Sequence, residues 1–67
     1  MLTEKDLFNM EGQTVRVMTF NTEDQICKVK LYNQEGTKQV HCENEEYDFY
    51  FYNGTQPEGL FFVYNID

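Results

Sequence analysis

From Thr14 onward, apolar residues come in short runs separated by polar, turn-forming stretches at intervals of roughly ten residues, which predicts an antiparallel β-meander. Thr14–Phe20 is rich in β-branched and large apolar residues. Ile26–Tyr32 alternates, with Cys27, Val29 and Leu31 on one side and Lys28 and Lys30 on the other. Thr37–Glu43 alternates as well, setting Val40 and Cys42 against Gln39, His41 and Glu43. Tyr47–Tyr52 and Leu60–Ile66 complete five strands. The segments between them, Asn21–Gln25, Asn33–Gly36, Asn44–Glu46 and Asn53–Gly59, are rich in turn formers.

Ahead of the strands the pattern changes to that of a short helix. Thr3 is a favourable N-cap and Asp6 follows three residues later, a capping box with Asp in place of Glu. Leu2 and Leu7 stand where a hydrophobic staple closes, and Glu4 and Asp6 put negative charge on the first turn. Gly12 is a natural stop. The expected fold is therefore mostly β (α+β), one domain over residues 1–67, with a short N-terminal helix before a five-stranded antiparallel meander.

Two registers follow from the pattern. Asn33-Gln34-Glu35-Gly36 suits a type I turn, and a four-residue loop pairs Tyr32 with Thr37. Val29 then faces Val40 and Cys27 faces Cys42, whereas a one-residue slip would set Val29 against His41. Lys30 with Gln39 and Lys28 with His41 form a solvent-facing stripe, with Glu43 beyond. Around Asn53–Gly59, Phe51 is expected opposite Phe61 and Phe49 opposite Val63, with Tyr52–Leu60 and Tyr50–Phe62 on the other face. Both faces of this pair are apolar, so the second needs a cover. The helix, closure into a small SH3-like barrel, or a partner chain each supply one.

Composition sharpens the picture at the C-terminal end. Of eleven aromatic residues, eight lie between Tyr47 and Tyr64, directly after the acids Glu43, Glu45, Glu46 and Asp48. The formal charge of −7 is uneven: residues 1–38 carry six acids and five bases, and the last 29 carry six acids and no base. Such a balance argues against a nucleic-acid backbone or an anionic membrane as direct partner, because both draw affinity from Lys and Arg. Stacking of bases on the rings would need a positive groove that the aromatic half lacks. The longest apolar run, Leu60 to Tyr64, is far too short to span a bilayer. The N-terminus carries no signal-peptide pattern, so a cytoplasmic location is expected, with Cys27 and Cys42 as thiols.

Catalytic and metal chemistry are poorly supplied. The chain has no Ser, one His and two Cys. Cys42 and His41 are strand neighbours that point to opposite faces, so they form no dyad. Two thiols and an imidazole fall short of a tetrahedral zinc set, and the acids lack the spacing of a calcium loop. No metal, cofactor or enzymatic activity is expected; a small enzyme would need a composite site at a subunit boundary. Asn53-Gly54-Thr55 matches a glycosylation acceptor but reads more simply as a turn.

Protein binding remains. Solvated turn residues are the commonest reason for an acidic run, yet acids beside tyrosines also suit an Arg- or Lys-rich surface. Alternate acids on a strand lie about 6.6 Å apart, comparable with successive phosphates of one nucleic-acid strand. The expected function is a non-enzymatic acidic binding domain. Its sharpest form is an inhibitor, of the kind a phage or mobile element encodes, that blocks a basic nucleic-acid-binding surface by charge mimicry. Glu43, Glu45, Glu46 and Asp48 would supply charge, and Tyr47, Tyr50 and Tyr52 the anchors. The alternative is a structural homo-oligomer, such as a homodimer, or a small subunit using its aromatic strands, including a free Leu60–Ile66 edge, as interface. No motif is long or unusual enough to identify a family.

Overall fold

The computed structural model describes all residues, Met1 to Asp67. A helix α1 (Glu4–Phe8) precedes strands β1 (Thr14–Met18), β2 (Gln25–Gln34), β3 (Thr37–Glu43), β4 (Asp48–Tyr50) and β5 (Phe62–Asn65). The strands form one antiparallel sheet in the order β4-β3-β2-β1-β5. The fold is thus mostly β with one short helix, as the pattern of the chain predicts.

The helix forms for the reasons its sequence supplies. Thr3 Oγ1 accepts from the Asp6 amide at 3.2 Å, and the Asp6 carboxylate accepts from the Thr3 amide at 2.9 Å. That bond holds the Asp6 carboxyl below its ordinary value. Leu7 is the one fully buried residue of the helix, and Leu2 packs against the same core. Gly12, at φ +84°, carries the chain from the helix toward β1 and donates to the Val29 carbonyl of β2 at 2.8 Å.

The core lies on one face of the sheet. Val15 and Val17 of β1, Cys27 and Val29 of β2, Val40 and Cys42 of β3 and Val63 of β5 are buried there with Leu7 and Phe61. Period-two alternation selects the strand residues among them, and Phe49 of β4 and Phe51 just beyond it extend the cluster.

The β2–β3 turn differs from expectation. Glu35 and Gly36 both have positive φ, +51° and +79°, and Gln34 pairs with Thr37. This is a two-residue type I′ turn, whose twist matches that of the flanking strands. The register moves by two residues: Val29 faces Cys42, Leu31 faces Val40, Lys30 faces His41 and Lys28 faces Glu43. An even shift keeps each side chain on its expected face. It does remove the direct opposition of Cys27 and Cys42, which are free thiols. Gln39, expected on the solvent-facing stripe, is 2% exposed, at the floor of a depression that Tyr52 and Pro57 also line.

The last strand departs further. β5 pairs with β1, not β4, setting Val63 beside Val17 and Phe62 beside Met18. Four strands meander and the fifth returns to the opposite edge, a crossing that the Asn53–Gly59 loop spans. Phe51 does meet Phe61, at 5.0 Å between ring centres, and Phe49 meets it at 5.5 Å. The contact is between side chains, while the backbones of β4 and β5 stay unpaired and the sheet remains open. The expected Phe49–Val63, Tyr52–Leu60 and Tyr50–Phe62 pairs do not form. Instead Phe62 packs edge-on to Phe20 at 5.9 Å, and Leu60 is 65% exposed.

The β5 edge is also less free than its sequence suggests. The Gln56 side-chain amide donates to the Phe61 carbonyl at 3.1 Å and accepts from the Phe61 amide at 3.3 Å. Leu2 donates to the Val63 carbonyl at 2.7 Å. A side chain and the N-terminal segment thus stand where a neighbouring strand would bond.

Candidate functional site

The β3–β4 hairpin divides the acidic run. Glu43 ends β3, Asp48 begins β4, and the two are direct cross-strand partners. Asn44 shapes the turn between them: its Oδ1 accepts from the amides of Glu46 and Tyr47, both at 2.8 Å. Its Nδ2 reaches Gln25 Oε1 at 3.1 Å and the Ile26 carbonyl at 3.2 Å, tying the hairpin tip to β2. Glu45 and Glu46 sit in that turn and are exposed. The four acids therefore do not form a phosphate-like row along one strand, because the chain reverses within the run.

On the outer face, opposite the core, the structure builds a network whose full membership the sequence did not reveal. His41 Nδ1 donates to Asp48 Oδ1 at 2.7 Å, and Tyr32 Oη donates to Glu43 Oε1 at 2.8 Å. The His41 ring is stacked on Tyr50 (5.1 Å, 15°) and edge-on to Tyr32 (4.6 Å, 80°). The Glu43 carboxylate raises the Tyr32 hydroxyl pKa, chiefly by accepting its hydrogen bond. His41 and Glu43 share a face by alternation; Asp48 joins them only because the turn sets it beside Glu43.

Donor atoms of His41, Glu43 and Asp48 lie within 4.8 Å of one another, a set able in principle to hold a divalent cation. Their proximity is already accounted for by the hydrogen bonds to Tyr32 and within the group. The outer face is also not purely acidic, since Lys28 stands opposite Glu43 and Lys30 opposite His41. The two-residue shift of the β2–β3 register brings Lys28 directly opposite Glu43, where the expected stripe had set it opposite His41.

The remaining predicted residues separate. Tyr47 stacks on Phe49 (5.5 Å, 8°), on the core side of β4. Tyr50 lies on the outer face, where its hydroxyl donates to Glu58 Oε1 at 3.3 Å. Partial burial, then the Glu58 charge, raise its pKa. Tyr52 is 41% exposed, and its backbone is occupied by Thr55 across the Asn53-Gly54 turn. The structure thus joins Glu43, Asp48 and Tyr50, leaves Glu45 and Glu46 at the tip, and turns Tyr47 to the other side.

Between the open edges of the sheet lies a cleft of about 510 Å³. Tyr47 to Tyr50 form one wall and Glu58 to Phe61 the other, with Phe20 of the β1–β2 loop at its mouth. The lining contains Asp48 and Glu58 but no Lys or Arg. Phe20 and Glu58 were not singled out from the sequence, and Leu60 was expected opposite Tyr52, since their approach to β4 depends on the crossing of the last loop.

The thiols are removed from chemistry. Cys27 and Cys42 are buried, and burial pushes their pKa values up to about 11 and about 12. No helix is long and apolar enough to cross a membrane. No protein-family model, curated protein or solved structure matches this chain.

Proposed function

We propose that this chain is a non-enzymatic binding domain that covers a basic surface of a partner protein with its β3–β4 hairpin and the adjoining cleft. One observation carries the reading. Glu45 and Glu46 project at the hairpin tip, while Asp48 and Glu58 line a cleft with no basic residue. Charge so placed complements Lys and Arg, and Tyr47, Tyr50 and Tyr52 add rings for cation–π contact. In its sharpest form the domain is an inhibitor, of a type encoded by phages or mobile elements, that blocks the nucleic-acid site of its target. The mimicry then lies in charge density at a hairpin tip rather than in a linear row of carboxylates. A cytoplasmic setting belongs to the proposal; two buried, unbridged thiols accord with it.

A second reading is favoured by a different observation. Phe20 is 82% exposed and Leu60 65%, on a molecule with few buried residues. A homo-oligomer or small subunit that buries these side chains would account for them. Ionic strength separates the two. Capture of a partner on immobilised protein at about 0.05 M salt and loss at about 0.5 M supports the charge-based reading. Self-association that survives high salt in sedimentation velocity, without capture of a basic protein, supports the oligomer.

A further inference from the structure

The cleft has a backbone feature that the charge pattern does not convey. Phe51 donates to the Val40 carbonyl at 3.1 Å, and Asn44 donates to the Tyr47 carbonyl at 2.9 Å. In an antiparallel ladder these bonds fix the alternation. Phe49, opposite Cys42, turns its N–H and C=O toward β3; Asp48 and Tyr50 turn theirs away from it. Their outward groups lie along the cleft wall. The neighbouring Tyr52 is closed off by its two backbone bonds to Thr55. On the far side of the seam, Gln56 and Leu2 occupy Phe61 and Val63. This short stretch of strand edge is left unblocked, and it faces a cleft lined by Phe20, Tyr47, Phe49 and Phe61.

We propose that this cleft takes an extended segment of the partner protein, with apolar and Lys or Arg residues alternating, as an added strand on the β4 edge. The inference rests on the reading of the domain as a binder of basic protein surfaces, and adds how the partner is gripped. An added strand continues the alternation of β4. Its side chains on one face meet Tyr47, Phe49 and Phe61; those on the other meet Asp48 and Glu58. Main-chain bonds to Asp48 and Tyr50 supply affinity, and the alternation supplies specificity. A second copy is the poorer occupant. Pairing two β4 edges would bring Asp48 and Glu58 of both copies together, and like charges across strands are destabilising.

The test uses the whole chain, isotope-labelled, titrated with an end-blocked heptapeptide Val-Lys-Val-Arg-Val-Lys-Val and two N-methylated forms. One form is methylated at the amides of the apolar residues, the other at those of the basic residues. Only alternate amides of an added strand face its neighbour, so methylation in one register should weaken binding about tenfold or more. The other register should stay within about twofold. Amide shifts should centre on Asp48 and Tyr50, and Phe20→Ser, at an exposed wall residue, should weaken binding several-fold.

Equal affinities for the two methylated peptides would overturn strand addition. So would shifts confined to Glu45 and Glu46, although that result would leave the charge-based function standing. No binding of any peptide at low salt would overturn the inference, while the function itself is tested separately by neutralising the tip acids. Self-association through the same edge, seen as Asp48 and Tyr50 shifts on concentration alone, would replace the partner segment with a second copy.

Discussion

Replacing Gln56 with Ala removes the side chain that stands in for a strand beside Phe61. The native amide makes two hydrogen bonds there, at 3.1 and 3.3 Å, to a residue that is 5% exposed. A hydrogen bond of this kind contributes about 1 kcal/mol net, and a buried backbone group left without a partner costs about 1–3 kcal/mol. Water can reach part of the opened edge, so the expected loss is about 2 kcal/mol. A domain of 67 residues has a total stability of about 3–10 kcal/mol, so the loss is a large share of it.

Urea denaturation followed by circular dichroism measures the effect. With a slope of about 1 kcal/mol per molar urea for so small a protein, the midpoint should fall by about 2 M. Gln56→Glu discriminates further, because it keeps an acceptor for the Phe61 amide but loses the donor to the Phe61 carbonyl. It should be no more stable than the alanine variant at neutral pH. If Gln56→Ala unfolds within about 0.3 kcal/mol of the native chain, the amide is not bonded as described, and the account of the protected β5 edge fails.

Other consequences can be checked alongside. Leu7→Ala, which empties the helix's one buried position, should cost about 3 kcal/mol in the same denaturation assay. Thr3→Ala should cost about 1 kcal/mol through loss of the cap. The folded Asp6 pKa is lowered, so the stability it contributes is present above the ordinary carboxylate range and lost as pH falls through its folded value. Asp6→Asn should flatten that acid limb of the stability profile. The thiol pKa values are raised to about 11 and about 12, so their contribution is present below the ordinary thiol value and lost as pH rises toward those values. At pH 8, Cys27 and Cys42 should resist a thiol reagent in the folded chain and react fully in urea. Glu45→Gln with Glu46→Gln should leave stability within about 0.5 kcal/mol, since both residues are exposed, while reducing partner capture.

Legibility in the sequence varied with the range of the interaction. The helix was readable because Thr3, Asp6, Leu2 and Leu7 act on one another within a few residues. The core faces of β2 and β3 were readable from alternation alone. The β2–β3 register was not, because nothing in Asn33-Gln34-Glu35-Gly36 announces that Glu35 takes a positive φ. The placement of β5 was harder still. Phe61, Phe62, Val63 and Tyr64 can present an apolar side to either β4 or β1, and pattern does not say which edge the loop delivers them to.

The candidate site follows the same division. Glu43, Glu45, Glu46 and Asp48 were visible as a charge cluster, and Tyr50 as its neighbour. That Lys28 and Lys30 stand beside Glu43 and His41 depended on the register. That Phe20, Glu58 and Leu60 form a cleft with β4 depended on how two distant sheet edges approach. Electrostatic character was local, whereas the shape that would present it to a partner was not.

In the proposed reading, this domain excludes nucleic acid from a basic protein surface by covering it with acids. A competition measurement tests it most directly. The partner captured from the native host cell is held on the immobilised domain and challenged with increasing single- or double-stranded nucleic acid. The same capture is then run with a variant carrying Glu43→Gln, Glu45→Gln, Glu46→Gln and Asp48→Asn. Nucleic acid should displace the partner from the native chain, and the variant, folded by circular dichroism, should fail to capture it. A partner that the variant still retains, and that nucleic acid does not displace, would contradict the claim.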